Sequence, residues 1–225
     1  MSILYDEGQL AIAEAATRVL SARAATPEGK ARLLALLEQP GRFDAVFWTT
    51  AVEQGWPAIA LPEAQGGLGL GLVELGLVAQ ARGAATAGAP FLRRKCGVAG
   101  ALLGGTGGGP ASDWLQRLAS GAATGAVAFA EGNEVLPARP RTTWQDGRLS
   151  GEKHGVAAGL FADVAVVWAE AQGEPALACV DLAHARRSAI DSFDNSRGHA
   201  VLAFDGAPAA LIARGEPARA QALDA

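Results

Sequence analysis

The spacing of apolar residues changes at Gly125, and this change constrains the fold more than any other feature of the chain. Upstream, apolar side chains recur at helical spacing, as they do at Leu10, Ala13 and Leu20. Downstream, short continuous apolar runs such as GAVAFA, VAVVWAE and PALACVD are separated by turn signals such as Asp146-Gly147. No helical pattern lies between these runs, so they predict an antiparallel barrel or sandwich rather than a βαβ sheet.

The chain is therefore predicted to be an α+β protein in three parts. An all-α domain is expected over residues 1–121, and a β domain over residues 122–207. A weaker helical pattern then resumes, which predicts the start of a helical segment over residues 208–225.

Start signals place the N-terminal helices. Asp6 with Gln9 three residues later predicts a capped first helix, and Thr26-Pro27 predicts a second. Asp44 is expected to cap a third helix, with Phe43 packing on Trp48 as a hydrophobic staple. Further helices are predicted over Leu72–Ala84, Phe91–Leu103 and Asp113–Ala119.

The loop from Trp56 to Gly71 contains GGLGLG and leads into a helical pattern, as a dinucleotide-binding turn does. The spacing does not fit, because Leu72 or Glu74 occupies the position of the third glycine. The loop is therefore predicted to be a packed connection between helices. Gly104–Gly109 lacks the Lys-Ser/Thr pair of a phosphate-binding loop, and a flexible linker is expected there.

Charge and residue usage narrow the function classes. A net charge of −4 offers no basic surface for nucleic acid or an anionic membrane. Cys96 and Cys179 lie far apart, and the three histidines (His154, His184 and His199) lack ligand spacing, so no metal site is predicted. No apolar run reaches the ~20 residues of a membrane helix, and the N-terminus has no signal-peptide pattern. These features predict a cytoplasmic protein.

Three stretches together resemble the acyl-CoA dehydrogenase family. Gly147–Asp163 is similar to the middle β domain of that family, with Gly151, Lys153 and Ala162-Asp163 at the matching positions. Glu53–Gly71 is similar to the loop between helices in its first domain, and Phe193–Asp205 to the strand pair that closes its β domain. The stretches occur in the order found in the family and cover its first two domains.

The resemblance implies FAD-dependent α,β-dehydrogenation of an acyl-CoA thioester, with an electron-transfer flavoprotein or a similar protein as acceptor, and a homo- or hetero-oligomer. The substrate class ranges from fatty acyl to steroid-like groups. In the family a third, helical domain carries the catalytic carboxylate, and only its first turns are expected in this chain. No catalytic residue is therefore assigned. Glu131 and Glu152 lie near the flavin segments, but each is interpreted as a solvated or capping carboxylate.

The resemblance also implies which residues contact FAD. Val127, Phe129 and Ala130 match the first flavin-contacting strand, and Ala130 replaces the usual threonine. Gly155, Val156 and Ala157 match the second segment, where backbone N–H groups are expected to serve. Gly155 stands where a tryptophan usually covers the flavin, and Ala157 where a hydroxyl usually approaches the ring. The small residues from Gly155 to Gly159 are those expected where a backbone approaches a flat ligand closely.

Two functions remain open at this point. The chain is predicted to be a subunit or fragment of an FAD-dependent acyl-CoA dehydrogenase, inactive by itself because it lacks the base. Alternatively, it is a non-catalytic partner or scaffold subunit of a heteromeric acyl-CoA dehydrogenase, as the substitutions at Gly155 and Ala157 suggest.

Overall fold

A computed structural model of the chain describes residues 5–24, 26–39, 44–85, 92–104, 110–191 and 198–224. The helices are α1 (Glu7–Ala24), α2 (Pro27–Leu37), α3 (Ala45–Glu53), α4 (Leu72–Ala84), α5 (Leu92–Gly104), α6 (Pro110–Ala119) and α7 (Glu216–Asp224). The strands are β1 (Gly125–Ala128), β2 (Thr143–Gln145), β3 (Arg148–Ala157), β4 (Val164–Ala171), β5 (Glu174–Asp181), β6 (Ala185–Ala189) and β7 (His199–Arg214). The predicted α+β class is confirmed.

The start signals of the first three helices are confirmed by hydrogen bonds. At α1, the Gln9 N–H donates to Asp6 Oδ1 at 2.8 Å, and the Asp6 N–H donates to Gln9 Oε1 at 3.2 Å. Thr26 accepts from the Gly29 N–H at the start of α2, and Asp44 accepts from the Phe47 N–H at the start of α3. The expected staple involves Phe43, which lies outside the described residues, as do the linker residues 105–109.

The loop between α3 and α4 is packed, as its sequence predicts. It forms two short 3-10 turns, Trp56–Ala58 and Glu63–Gln65, and buries Ile59 and Leu61. A Cβ added at Gly67 would lie 2.0 Å from the Leu61 carbonyl oxygen, so a side chain there is excluded by packing. Gly67 therefore serves the close packing of the loop itself.

Five strands form a closed ring in the order β4-β2-β3-β7-β5 and back to β4. β1 adds to β4, and β6 adds to β7. Most pairings are antiparallel, but β1 and β2 both run parallel to β4. β1 and β2 pair with β4 one after the other, β1 along residues 164–167 and β2 at residue 170, and residues 129–142 connect the two. The predicted barrel thus forms, with two parallel pairings that the spacing of apolar runs does not reveal.

Both faces of β4 are buried from Val164 to Ala169, which explains why these six residues are all apolar. Inside the barrel its alternate residues pack with Leu149, Val156 and Phe204. On the other face Val166 and Trp168 pack with residues of α5, α6 and α7. A separate core joins α1, α3 and α4.

The helical segment predicted from residue 208 begins later, at Glu216. Residues 208–214 continue β7, where they pair mainly with β5. Gly206, with φ +64°, lies in the middle of this long strand, between the part paired with β6 and the part paired with β5. The turn signal at Asp205-Gly206 therefore marks a change of direction within one strand rather than its end.

Among the described residues, none of the helices combines the length and apolarity needed to cross a bilayer. Among the same residues, no group of three histidines, cysteines or carboxylates comes close enough together to hold a metal ion.

Candidate functional site

The end of β1 and the middle of β3 lie side by side, although more than twenty residues separate them in the sequence. The His154 N–H donates to the Ala130 carbonyl at 2.9 Å, and the Lys153 ammonium donates to the Phe129 carbonyl at 3.2 Å. The pairing of β3 with β7 shifts register between Lys153 and Val156. β3 therefore bonds to residues 129–130 at the point where its ladder with β7 is interrupted.

Val127 and Phe129 are both half-buried and pack toward the helices. The ring centroid of Phe129 lies 6.3 Å from that of Trp168, with the planes tilted by 55°. Trp168 is in turn fixed by its indole N–H, which donates to the Pro137 carbonyl at 2.8 Å. The Val127 and Phe129 side chains therefore pack against the core. The part of this segment that a ligand could reach is largely its backbone and half-buried Ala130.

In the second segment, only Gly155 leaves its backbone open. It has φ +61°, is exposed, and a Cβ placed on it would meet no atom within 4 Å. Val156 is only 1% exposed, main chain included, and its side chain points into the barrel core. Ala157 is half-buried.

The other small residues around this segment are explained by packing within the protein. A Cβ at Gly151 would lie 2.6 Å from Thr142 Cα, and one at Gly159 would lie 2.8 Å from Ala200 Cβ. The expectation that Gly159 accommodates a flat ligand is therefore wrong. Gly155 is the member of this stretch with open space above it.

Glu131 and Lys153 form a buried ion pair directly behind these segments. The Lys153 ammonium lies 2.6 Å from Glu131 Oε1, and the exposed fractions of the two side chains are 0% and 2%. Oε1 also accepts from the Thr142 N–H at 2.9 Å, and Oε2 accepts from the Arg141 N–H at 2.7 Å. Interpretation of Glu131 as a solvated or capping carboxylate is thus wrong, because its oxygens are buried and bonded to Lys153 and to the backbone.

Burial and pairing act in opposite directions on these two groups. Burial raises the pKa of Glu131, but hydrogen bonds from Lys153 and from the Arg141 and Thr142 N–H groups outweigh it and lower the pKa to about 2. Burial lowers the pKa of Lys153 to about 8, and the attraction of Glu131 limits the fall. Both groups are therefore charged at neutral pH.

The exposed side of β3 carries a second acidic residue, Glu152. Its carboxylate lies 2.6 Å from His154 Nε2, with side chains that are 52% and 38% exposed. Glu152 is therefore solvated, as its sequence context predicts. An open cavity of about 370 Å³ lies beside Glu131 and is lined by Gly132, Asn133, Glu134, Pro137, Arg139 and Arg141.

The motif Ala162-Asp163 has a structural role. Asp163 Oδ2 accepts from the Thr124 N–H at 2.7 Å and from the Thr124 hydroxyl at 3.1 Å. These bonds fix the start of β4 against the residue that precedes β1.

The residue that sequence reasoning missed is Lys153 in its buried, ion-paired form. A signal for it exists, because alternate residues of a strand share a face and Leu149 points inward. Counting by two from Leu149 places Lys153 on the inward face, where a charge requires a partner. The position of Glu131 opposite it depends on the long connection after β1 and has no local signal.

The chain is similar to a known protein family and to several solved structures. Residues 6–122 match the family described as acyl-CoA dehydrogenase, N-terminal domain. A search of curated protein sequences gave no match. The ChsE4-ChsE5 complex from Mycobacterium tuberculosis contains a similar chain, with a TM-score of 0.82 and 24% identity over 98% of this chain and 61% of that one.

Two further solved structures are similar. The Tcur3481-Tcur3483 steroid ACAD has a TM-score of 0.78 and 26% identity over 96% of this chain and 59% of that one. An acyl-CoA dehydrogenase from Bacillus anthracis, solved in complex with FAD, has a TM-score of 0.78 and 22% identity over 98% of this chain and 40% of that one. The chain thus spans about three fifths of the first two relatives. The family match over more than half of the residues, together with this shared fold, shows that the chain belongs to the acyl-CoA dehydrogenase family.

Proposed function

We propose that this chain supplies one side of the flavin site of an FAD-dependent acyl-CoA dehydrogenase. The observation that carries the proposal is the meeting of two segments that the family uses for flavin contact. The bond from the His154 N–H to the Ala130 carbonyl joins them, and Gly155 beside it has open space where a side chain would otherwise stand.

The residues present fit a flat cofactor. Ala130, Gly155 and Ala157 carry small side chains or none, so a planar ring can approach the backbone there. Val127 and Phe129 support this backbone from the helix side, and Val156 supports it from the barrel core. FAD, when bound, accepts the hydride that leaves the β-carbon of the acyl group. The residues of this chain would hold and orient the ring and exclude water from one side of it.

We assign no catalytic base within the described residues. The Glu131 carboxylate is buried in its ion pair with Lys153, and Glu152 is paired with His154 on the exposed side of β3. The carboxylate that removes the α-proton is therefore expected from other residues of the functional protein or from a partner subunit. By this proposal the 225 residues bind FAD weakly, because they supply only one side of its site. They do not oxidise acyl-CoA by themselves, because they lack general-base catalysis, which typically contributes 10²–10⁴-fold.

A gain-of-function variant tests the flavin contact. Ala130→Thr restores the hydroxyl that most family members carry, and one added hydrogen bond should lower the dissociation constant for FAD about two- to tenfold. Ala189→Thr makes the same change at an exposed position of β6 and should leave FAD binding unchanged. Titration followed by flavin fluorescence gives both constants. A wild-type chain that shows no saturable change in flavin fluorescence would overturn the proposal.

The substrate is tested separately. Flavin absorbance of the FAD-loaded chain is recorded during addition of short, long and steroid acyl-CoA thioesters. No bleaching is expected from the 225 residues alone. Bleaching is expected when the residues or subunit that carry the base are present, and the similarity to a steroid ACAD puts bulky acyl groups in the panel.

A second candidate is a non-catalytic partner subunit of a heteromeric dehydrogenase. The observation in its favour is that Ala130 and Ala157 offer no hydroxyl to a flavin and Gly155 offers no covering ring. Similarity to a chain of the ChsE4-ChsE5 complex also supports a heteromeric setting. Co-purification with a homologous subunit that carries all of the flavin would favour this candidate, whereas flavin bound to this chain would favour the first.

A further inference from the structure

Two opposite charges lie buried behind the proposed flavin segments. Taking a carboxylate and an ammonium out of water is costly, and well-packed apolar residues of similar volume often stabilise a fold as well or better. The Lys153 side chain is fully buried, and that of Glu131 almost so. Stability alone therefore gives little reason for this pair.

The partners of the pair indicate a different role. Lys153 donates to the Phe129 carbonyl, and the Glu131 carboxylate accepts from the backbone N–H groups of Arg141 and Thr142. The pair thus connects the end of β1, the start of β2 and the middle of β3. These connections surround the place where β3 loses register with β7, so the β7 ladder does not fix the backbone there.

We infer that Glu131 and Lys153 are positioning residues for the flavin: together they set the separation between the backbone at Phe129–Ala130 and the backbone at Gly155–Ala157. This inference rests on the proposed function, in which both segments contact FAD. The Lys153–Phe129 bond fixes one segment against the other from behind, and the bond from the His154 N–H to the Ala130 carbonyl fixes them at the front. Neither charged group needs to touch the cofactor.

The experiment separates positioning from support of the fold. Four forms of the chain are compared: wild type, Glu131→Gln, Lys153→Met, and the double variant. Each single change leaves one buried charge without its partner and should lower the melting temperature. The double variant removes both charges at similar volume, and its glutamine retains an oxygen for one of the two backbone N–H groups, so its melting temperature should recover most of the loss seen in the single variants.

FAD binding should not return with stability. We expect the dissociation constant for FAD of the double variant to exceed that of wild type by about tenfold, since the tether to the Phe129 carbonyl is lost. The visible flavin spectrum should also change, because the ring no longer meets the same backbone groups. Glu134→Gln, which removes an exposed carboxylate from the same connection, should leave both readouts unchanged.

A measurement on the wild-type chain makes the inference independent of how the variants fold. Addition of FAD should slow hydrogen exchange at the Thr142 and His154 amides, whose bonds belong to this tether. Unchanged exchange on FAD binding would overturn the inference, as would a double variant that is stable and binds FAD as wild type does. A wild-type chain that binds no FAD at any concentration would instead overturn the proposed function, and this inference with it.

Discussion

At the scale of single residues, Gly151 shows how tightly β3 approaches the start of β2. Its φ of +135° lies in the region that favours glycine, and a Cβ would lie 2.6 Å from Thr142 Cα. Gly151→Ala should therefore lower the free energy of unfolding by about 2 kcal/mol or more. Gly76→Ala is the matched control, because Gly76 is exposed within α4 with nothing near its Cβ position. It should raise stability by roughly 0.5–1 kcal/mol, and urea denaturation measures both.

Equal effects of the two glycine changes, or a Gly151→Ala variant at least as stable as wild type, would contradict the close approach of β3 to Thr142.

Glu131 should account for much of the loss of stability of the fold between pH 4.5 and pH 2. Its pKa falls from 4.5 to about 2 on folding, so its stabilising contribution is complete above pH 4.5 and is lost as the pH falls toward 2. Folding stabilises the charged carboxylate relative to its protonated form by roughly 3 kcal/mol. The stability of Glu131→Gln should therefore depend less on pH between 4.5 and 2 than that of wild type, while Glu134→Gln keeps the wild-type slope. If the free energy of unfolding of wild type and of Glu131→Gln changed with pH in parallel, the pKa of Glu131 would not be lowered by folding.

Residue-scale predictions from the sequence succeed where the partner is close in the chain. The caps at Asp6, Thr26 and Asp44 follow from local spacing and are present. The pairing of Glu131 with Lys153 depends on how β1 and β3 meet, and no local pattern encodes that meeting. The contacts of the six proposed flavin residues with a cofactor remain predictions from the family resemblance.

At the scale of elements, the connection from β1 to β2 is the longest stretch without helix or extended strand among the described residues of the β domain. Its anchors include the Glu131 carboxylate, which accepts from the Arg141 and Thr142 N–H groups, and the Trp168 indole, which donates to the Pro137 carbonyl. Trp168 belongs to β4, the strand that is buried on both faces. The connection is therefore fixed to the most buried strand of the barrel.

Trp168→Phe should release this anchor. The change removes the donor to a buried carbonyl and shortens a core side chain, so we expect a loss of about 1–3 kcal/mol. Faster hydrogen exchange should follow in residues 132–140. Trp114→Phe is the control, since Trp114 is half-buried and is covered by the Arg117 guanidinium 4.2 Å from its ring centroid. It should cost less than about 1 kcal/mol. Unchanged exchange in the connection of Trp168→Phe would contradict the anchoring role.

Element bounds follow the sequence where the hydrophobic period is clear. The helix predicted over Leu72–Ala84 has these bounds, and the helix predicted from Asp113 begins slightly earlier, at Pro110. The late start of α7 could not be predicted, because residues 208–214 are rich in alanine and pair as a strand through tertiary contacts, mainly with β5. The parallel pairings of β1 and β2 with β4 likewise depend on tertiary contacts.

At the scale of the whole molecule, an apolar stretch lies on the surface of the helical part. Leu68, Leu70, Leu72 and Val73 are 46%, 37%, 73% and 48% exposed. Contiguous exposed apolar side chains promote association, so sedimentation velocity should show self-association of the 225-residue chain that grows with concentration. The double variant Leu70→Ser/Leu72→Ser should reduce it.

Leu34→Ser is the control for the apolar stretch, because Leu34 is 63% exposed on α2, outside that stretch. It should leave the sedimentation profile as it is in wild type. A wild-type chain that stays monomeric at all concentrations would contradict the prediction.

β7 pairs with β3, β5 and β6, and it is the last strand of the barrel in the chain. During synthesis on the ribosome, the strand edges of β3, β5 and β6 that pair with β7 therefore remain unpaired until residues 199–214 have emerged. Pairings of such large sequence separation form slowly, and unpaired strand edges invite contact with other chains. Helices α1, α3 and α4, which form a core of their own, can fold first. The yield of correctly folded protein in a cell should thus depend on how quickly the ribosome completes β7 and on chaperones that shield the three edges until then.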